Sequence, residues 1–511
     1  MPVKHRPPMP KLPPFALANI APPRKRPPYI VFFYFLFAAP LFAIHLQLLN
    51  LPYFWDEQGQ FIPTALDLLR HGWWVARSTV PNVHPPGVEM YLALCYRAFG
   101  YSIPMTRAAT LSVGAAGLLI TFLLSIELSR GTTGAPAFWP PLFLLASPLF
   151  YMQSFMAQLD MPAMVFTLLA LLLFLKSEYA EAAGVCVVLV LVKETGLVTP
   201  FVFFLVMACR RDWRRASYFI APAIALGAWL AALHHATGYW LGNPGFAHYN
   251  VSYSLHPVRI VLSFARRLYY LFFAEFRWMG TLVLLITAPA SYRVFRGRAW
   301  GIAVAVCAAN VALVSVLGGA ELERYLLPVL PVFYIAAAVA LTFVPRLYAN
   351  VISVGLMAGL AANLFWNPAY PFPYENNYAM VDFVRLQQIA AQFAESSLSD
   401  KKIATAWPLT ASLRSPDFGF VDHGLKAIET TDFHASSIRA LSAPSFDALI
   451  TYTRTWAPVD GLIAYPSVRR FLSRFYQWEP DITPEQCAQL GLYPAMSWSS
   501  RGQTITVYTR R

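Results

Sequence analysis

Four short clusters of ionisable residues stand out in an otherwise apolar chain: Asp56-Glu57, Asp160, Lys193-Glu194 and Glu323-Arg324-Tyr325. A carboxylate can take the proton of an attacking hydroxyl. Lys and Arg can stabilise charge growing on a departing phosphate, Arg through paired hydrogen bonds. Gathered at a hollow level with a membrane, such groups suit a transfer reaction on an anionic, lipid-linked substrate. Each cluster also has a purely structural explanation. Asp56 could cap the helix after it, and Glu57 could add charge to that helix's first turn. Asp160 with Pro162 reads as a helix start, and Lys193-Glu194 as a solvated turn. Glu323-Arg324-Tyr325 reads as an interfacial cluster with Tyr325 in an aromatic belt. The choice depends on whether the chain brings the clusters together.

The elements that must do so are set by composition. The 511 residues are 57% apolar and 13% charged, with a mean hydropathy of +0.48. Soluble domains are about 45–50% apolar and about 25% charged. One folded core cannot hide this excess, so a polytopic α-helical membrane protein is expected. The net charge of +13 would suit nucleic acid. The basic residues, however, lie in short clusters between apolar runs, as orientation signals do, and no nucleic-acid partner is expected. The five cysteines (Cys95, Cys186, Cys209, Cys307 and Cys487) show no framework or metal spacing and read as small hydrophobes.

Residues 1–28 form a Pro-rich basic arm, with Arg24-Lys25-Arg26 near its end. For the apolar run Tyr29–Leu49, a cleaved signal peptide is the competing reading. The run is longer than a typical signal core and reads as a retained anchor. Further apolar runs fall near 105–129, 137–153, 161–176, 182–192, 195–209, 216–235, 275–291, 299–317, 325–343 and 349–366. With the arm in the cytoplasm, alternation puts Arg130, Lys176, the Arg210–Arg215 cluster, Arg293–Arg298 and Arg346 inside. This requires 182–209 to be two short passes broken at Lys193-Glu194-Thr195; a single tilted helix is the alternative. The fold expected is thus about 11 transmembrane helices over 29–366, in the inner (plasma) membrane. The active site and residues 367–511 lie on the periplasmic, extracytoplasmic side.

The first outer loop, about 50–104, carries Asp56-Glu57, an amphipathic stretch (Phe61, Ala65, Leu68, Leu69), Gly72-Trp73-Trp74 and Val83-His84-Pro85-Pro86. Gly87–Gly100 is too short to span and is expected to lie in the interface or to re-enter. Beyond 366 the pattern changes. Ile403–Trp407, Ala448–Thr453 and Thr504–Thr509 read as strands, and 378–396 and 466–477 as amphipathic helices. A small α/β domain that covers or shapes acceptor access is expected there. Its stretch Ser415–His423 contains Ser, Asp and His but no GxSxG elbow, and reads as loop.

The order of these pieces resembles a known family. Asp56-Glu57 after the first helix, the Gly-Trp segment, Pro85-Pro86, Asp160-Met161-Pro162, Lys193-Glu194 and Glu323-Arg324-Tyr325 with Pro328 and Pro331 are similar to the GT-C glycosyltransferases. The branch is that of the protein O-mannosyltransferases and the bacterial lipid A aminoarabinose transferase, and the resemblance covers about 29–345. It implies transfer of a sugar from a polyprenyl-phosphate carrier to an extracytoplasmic glycan, lipid or protein acceptor, with inversion. It also implies Asp56 as general base, Asp160 as a second catalytic carboxylate and Arg324 as the holder of the carrier phosphate. Lys193 would be a second phosphate contact, with Glu57, His84, Glu194 and Tyr325 in the substrate site.

Related lipid A enzymes carry an acidic–Lys–Pro stretch where this chain has Val83-His84-Pro85-Pro86. The missing carboxylate leaves a divalent metal, the one cofactor in question, open. His234, His235, His248 and His256 crowd another outer loop without recurring ligand spacing. A phosphate leaving group needs no strong acid, so one base with Lys and Arg suffices for an oxocarbenium-like displacement. A transporter or lipid flippase is the rival from another class. It would place ionisable groups in mid-helix and repeat its halves, whereas here the charges sit at helix ends. A non-catalytic scaffold whose outer domain binds a partner is the third reading. The sugar and acceptor have no signature in the sequence.

Overall fold

The computed structural model describes residues 28–130, 137–441, 445–456 and 461–510. The basic arm expected over 1–28 lies, apart from the backbone of Pro28, outside the described residues. Helix α1 (Pro28–His45) runs through a tight turn into the first outer loop, which holds α2 (Ile62–His71) and α3 (Gly87–Phe99). Then come α4 (Ile103–Leu128), α5 (Trp139–Ala146), α6 (Pro148–Ser154), α7 (Asp160–Leu175), α8 (Tyr179–Val192) and α9 (Val198–Cys209). Among the described residues, five helices are long and apolar enough to cross a bilayer: Tyr29–Leu48, Ile103–Leu128, Trp213–Thr237, Trp278–Phe295 and Arg298–Val316. Asp160–Leu175, Tyr179–Val192, Glu194–Cys209 and Leu330–Leu341 are shorter apolar helices. The 137–153 run is not one rod. Ser147 is extended (ψ 123°) ahead of Pro148, which cannot continue the helix, and the run splits into α5 and α6.

The chain breaks at Lys193, whose backbone is extended (φ −151°, ψ 124°). The chain reverses there. Phe174 near the end of α7 stacks on Phe203 of α9 with ring centroids 4.1 Å apart. Arg215, just past α9, lies 5.1 Å over the Tyr179 ring at the start of α8. The near ends of α8 and α9 therefore share one level, and Lys193-Glu194 tips the pair at the other.

Close approach fixes what faces that tip. A Cβ on Gly87 would lie 2.4 Å from the Leu191 carbonyl oxygen, a backbone atom that cannot step aside. Only glycine lets the start of α3 touch the end of α8, which brings His84 beside Glu194. Helix α2 buries Ile62, Ala65 and Leu66 and ends at Gly72 in the left-handed conformation (φ 71°).

Residues beyond 367 form the α/β domain. Helix α10 (Ala379–Ser397) packs on a five-stranded sheet of β1 (Ile403–Ala406), β2 (Ala427–Thr430), β3 (Ala448–Tyr452), β4 (Leu492–Ser500) and β5 (Gln503–Arg510). The order is β2-β1-β3-β5-β4, with β1 parallel to both neighbours and β5 antiparallel to both of its own. The sequence pattern foresees β1, β3 and β5 but misses β2 and β4. Those are the two edges, where few residues are buried and no alternation survives.

The domain is seated on the first outer loop. Arg70 holds Asp417 through two hydrogen bonds of 2.9 and 3.0 Å, the Tyr101 hydroxyl donates to the Asp417 carbonyl, and the Ser412 hydroxyl bonds Gln58. The Trp407 indole lies against Gly59, where a Cβ would fall 2.0 Å from the ring. The Ser415–His423 stretch is therefore a docking loop, with the His423 ring exposed beside Glu395.

Gly87→Ala should lower the thermal midpoint of the detergent-purified protein, since overpacking against backbone costs about 1–3 kcal/mol. A midpoint equal to that of the parent protein would show that the contact is not needed.

Candidate active site at one end of the helices

Helix α1 hands the chain to Trp55, a non-glycine residue in the left-handed region (φ 38°). Such backbone costs on the order of 1–3 kcal/mol and persists only where surroundings enforce it. A π-helical turn, Glu57–Phe61, comes directly after. This local departure from α geometry sets the aim of Asp56, which is not a helix cap: its side chain makes no capping hydrogen bond. Asp56 Oδ2 instead accepts from Arg324 Nη2 at 2.5 Å, and among the described residues nothing donates to its Oδ1.

Arg324 sits in a 3-10 turn, Glu323–Leu326, and is 5% exposed. Its Nη1 donates to Gln158 Oε1 at 2.6 Å and to Glu375 Oε2 at 3.0 Å, and its Nε lies 3.1 Å from Asp160 Oδ2. Asp160, the first residue of α7, also receives Lys193 Nζ at 2.5 Å on its other oxygen. Lys193 Nζ stands 4.2 Å over the Tyr325 ring, and the buried Arg267 guanidinium lies 5.6 Å from the same ring. His84 Nδ1 is 2.8 Å from Glu194 Oε2. Burial opposes charge on both of these groups. Their attraction outweighs it, raising the His84 pKa and lowering that of Glu194.

The four clusters thus meet at one place, with one exception inside them. Glu57 does not join the others. It is wholly buried, and its oxygens accept from Arg107 at 2.5 and 3.2 Å, from the Phe54 amide at 2.8 Å and from the Ala157 amide at 2.6 Å. No acceptor capacity is left for a substrate, so the expected substrate contact is corrected to a buried strut that ties the first outer loop to α4 and the α6–α7 connection. Arg324 is corrected in role. Three carboxylates and an amide engage its guanidinium, so it orients Asp56 rather than standing free for a phosphate.

Four residues escaped the sequence reading. Arg107 had a signal, being an arginine inside an apolar run. Gln158, Arg267 and Glu375 had none, because nothing local distinguishes them from solvated polar residues. Glu375 comes from the outer domain, in the turn Tyr374–Asn376. Asn376 fastens that turn by donating to Glu323 Oε2 at 3.1 Å, and Glu323 in turn pairs with Arg266 at 2.6 Å. Burial first, and neighbouring carboxylates with it, push the Glu375 pKa up to about 7 against the pull of Arg324.

The donor set does not fit a divalent metal. Asp56, Asp160 and Glu375 converge on a guanidinium that stands where an ion would have to be. Among the described residues no group of three His, Cys, Asp or Glu side chains is arranged to hold one. In the histidine-rich loop, His234 stacks on Trp240 at 4.4 Å and His256 meets Phe475 edge-on at 5.8 Å, so both rings serve packing.

Two outcomes are expected. Arg107→Ala leaves Glu57 buried and unpaired and should cost about 3–5 kcal/mol, read as a lower thermal midpoint in detergent. Folded Glu375 keeps its proton to about pH 7 against an ordinary value of 4.5. The folded state therefore binds the extra proton in that window, and stability falls as pH rises through it. Glu375→Gln should flatten this decline in thermal midpoints taken from pH 4.5 to 8.

The sequence model of the family described as Glycosyltransferase family 87 matches residues 83–320. No curated protein sequence matches the chain. Among solved structures, ArnT from Cupriavidus metallidurans bound to undecaprenyl phosphate is similar with a TM-score of 0.52 at 15% identity, over 92% of this chain and 97% of that one. Its apo state gives 0.52 at 15% identity, over 93% and 98%. The archaeal oligosaccharyltransferase AglB from Archaeoglobus fulgidus, in complex with an inhibitory peptide and a dolichol-phosphate, gives 0.50 at 10% identity, over 94% of this chain and 74% of that one. At these identities the likeness is one of fold, and it runs through both the helical region and the outer domain. This chain is a multi-pass membrane protein with the fold of the GT-C glycosyltransferases.

Proposed function

We propose that this protein transfers a sugar from a polyprenyl-phosphate carrier to a hydroxyl of a glycan, lipid or protein acceptor, with inversion at the anomeric carbon. The observation that carries the reading is Asp56. One of its oxygens is held by Arg324, among the described residues nothing donates to the other, and Lys193 and Asp160 belong to the same cluster. Asp56 Oδ1 takes the acceptor's proton as that oxygen attacks the anomeric carbon. The bond from that carbon to the phosphate oxygen breaks on the opposite face and leaves polyprenyl phosphate. The leaving group is weakly basic, so it asks for cations and not for an acid. Lys193 and Arg267, which flank Tyr325, supply that charge, and Arg324 keeps Asp56 aimed. His84 and Glu194 form the adjoining wall.

The ligands of the fold relatives, undecaprenyl phosphate on ArnT and dolichol-phosphate on AglB, support a lipid-linked donor. The basic clusters support eleven passes in an inner membrane, with the site and residues 367–511 on the extracytoplasmic side.

Proteoliposomes supplied with a labelled polyprenyl-phosphate sugar should release polyprenyl phosphate. Asp56→Asn should slow release by about 10²- to 10⁴-fold, the usual worth of a general base, while Lys193→Ala should act mainly on donor KM. Near-parental rates from Asp56→Asn would refute the assignment.

A further inference from the structure

The arrangement around Arg324 is what a divalent cation commonly receives from oxygen ligands: several carboxylates converging on one buried positive centre. Asp56, Asp160 and Glu375 come from three distant parts of the chain, and each places an oxygen 2.5 to 3.1 Å from a guanidinium nitrogen. Lys193 closes the set by holding the second oxygen of Asp160. Asp56 and Asp160 face the two positive charges of Arg324 and Lys193, the charge of a single divalent ion, and Glu375, whose pKa is pushed up to about 7, completes the oxygen set. Of the three guanidinium nitrogens, Nη1 and Nη2 hydrogen-bond to this cage and Nε is in ion-pair reach of it.

We infer that Arg324, with Lys193, is a built-in replacement for a divalent cation, so that the site is organised by protein charge alone and excludes Mg²⁺ or Mn²⁺ while Arg324 is present. The inference rests on the proposed transfer reading only in calling this the reaction site. Removing the guanidinium leaves three carboxyl groups facing one ammonium around an emptied cage, with no cation on Asp56 or Glu375. Such a cage suits a divalent ion. The same logic makes Arg324 a positioning residue: it touches Asp56, not the reacting atoms.

The test is Mn²⁺ binding to the full-length protein in detergent, monitored through the electron paramagnetic resonance signal of free Mn²⁺. The parent protein should show no saturable site. Arg324→Gln should show a saturable Mn²⁺ site at least about tenfold tighter than any binding by the parent, since it removes the competing cation from an unchanged set of carboxylates, and adding Asp160→Asn or Glu375→Gln should remove that site. Arg324→Lys, which keeps the charge, should stay close to the parent. Saturable binding to the parent that Asp160→Asn abolishes would overturn the inference, as would a folded Arg324→Gln protein that ignores Mn²⁺. Should Arg324→Gln not yield monodisperse protein, the Mn²⁺ titration of the parent decides. Absence of a saturable site upholds the inference, and a site that Asp160→Asn abolishes overturns it. Ion binding is read without any sugar donor, so its failure is separate from failure of the transferase reading.

Discussion

A buried guanidinium is the constraint on which the structure turns. Arg324 is almost out of contact with solvent, and an unpaired charge there would cost several kcal/mol. Asp56, Asp160, Glu375 and Gln158 must all arrive for the folded state to be tolerable. They come from the first outer loop, the start of α7, the outer domain and the approach to α7. A second buried pair, Glu57 with Arg107, holds the first of these elements in place. The apolar helices thus have a polar centre of fixed composition at one of their ends, and the route of the chain is set by what that centre needs.

The helical scaffold was legible because lipid allows few solutions. Apolar runs had to be helices, and basic clusters between them had to mark one side. Those rules fixed the break at Lys193, which the extended backbone of that residue bears out. They also made Asp56, Asp160, Lys193 and Arg324 neighbours on the strength of sequence alone. They could not show that Pro148 splits a run in two, since a proline inside an apolar stretch is equally compatible with a kinked single helix.

The errors concern partners rather than places. Glu57 adjoins Asp56 in the chain, yet the π-helical turn sends it to Arg107 while Asp56 goes to Arg324. Adjacent residues on a helix face different neighbours, and sequence proximity hides that. Glu375 was invisible because its importance is wholly long-range: it lies in a short turn ahead of α10 and matters only through where that turn is fastened. Edge strands β2 and β4 were missed for a related reason, since an edge buries too little to impose a pattern.

The fit of the Trp407 indole against the bare backbone of Gly59 bears on traffic. A ring keyed into main chain, beside the Arg70–Asp417 clasp, leaves no slack for the outer domain to swing like a hatch. It sits as a roof that contributes Glu375 to the charged cluster beneath it. Under the proposed reaction, a carrier with a long hydrocarbon tail would then arrive sideways, sliding between helices from within the bilayer, and depart by the same seam.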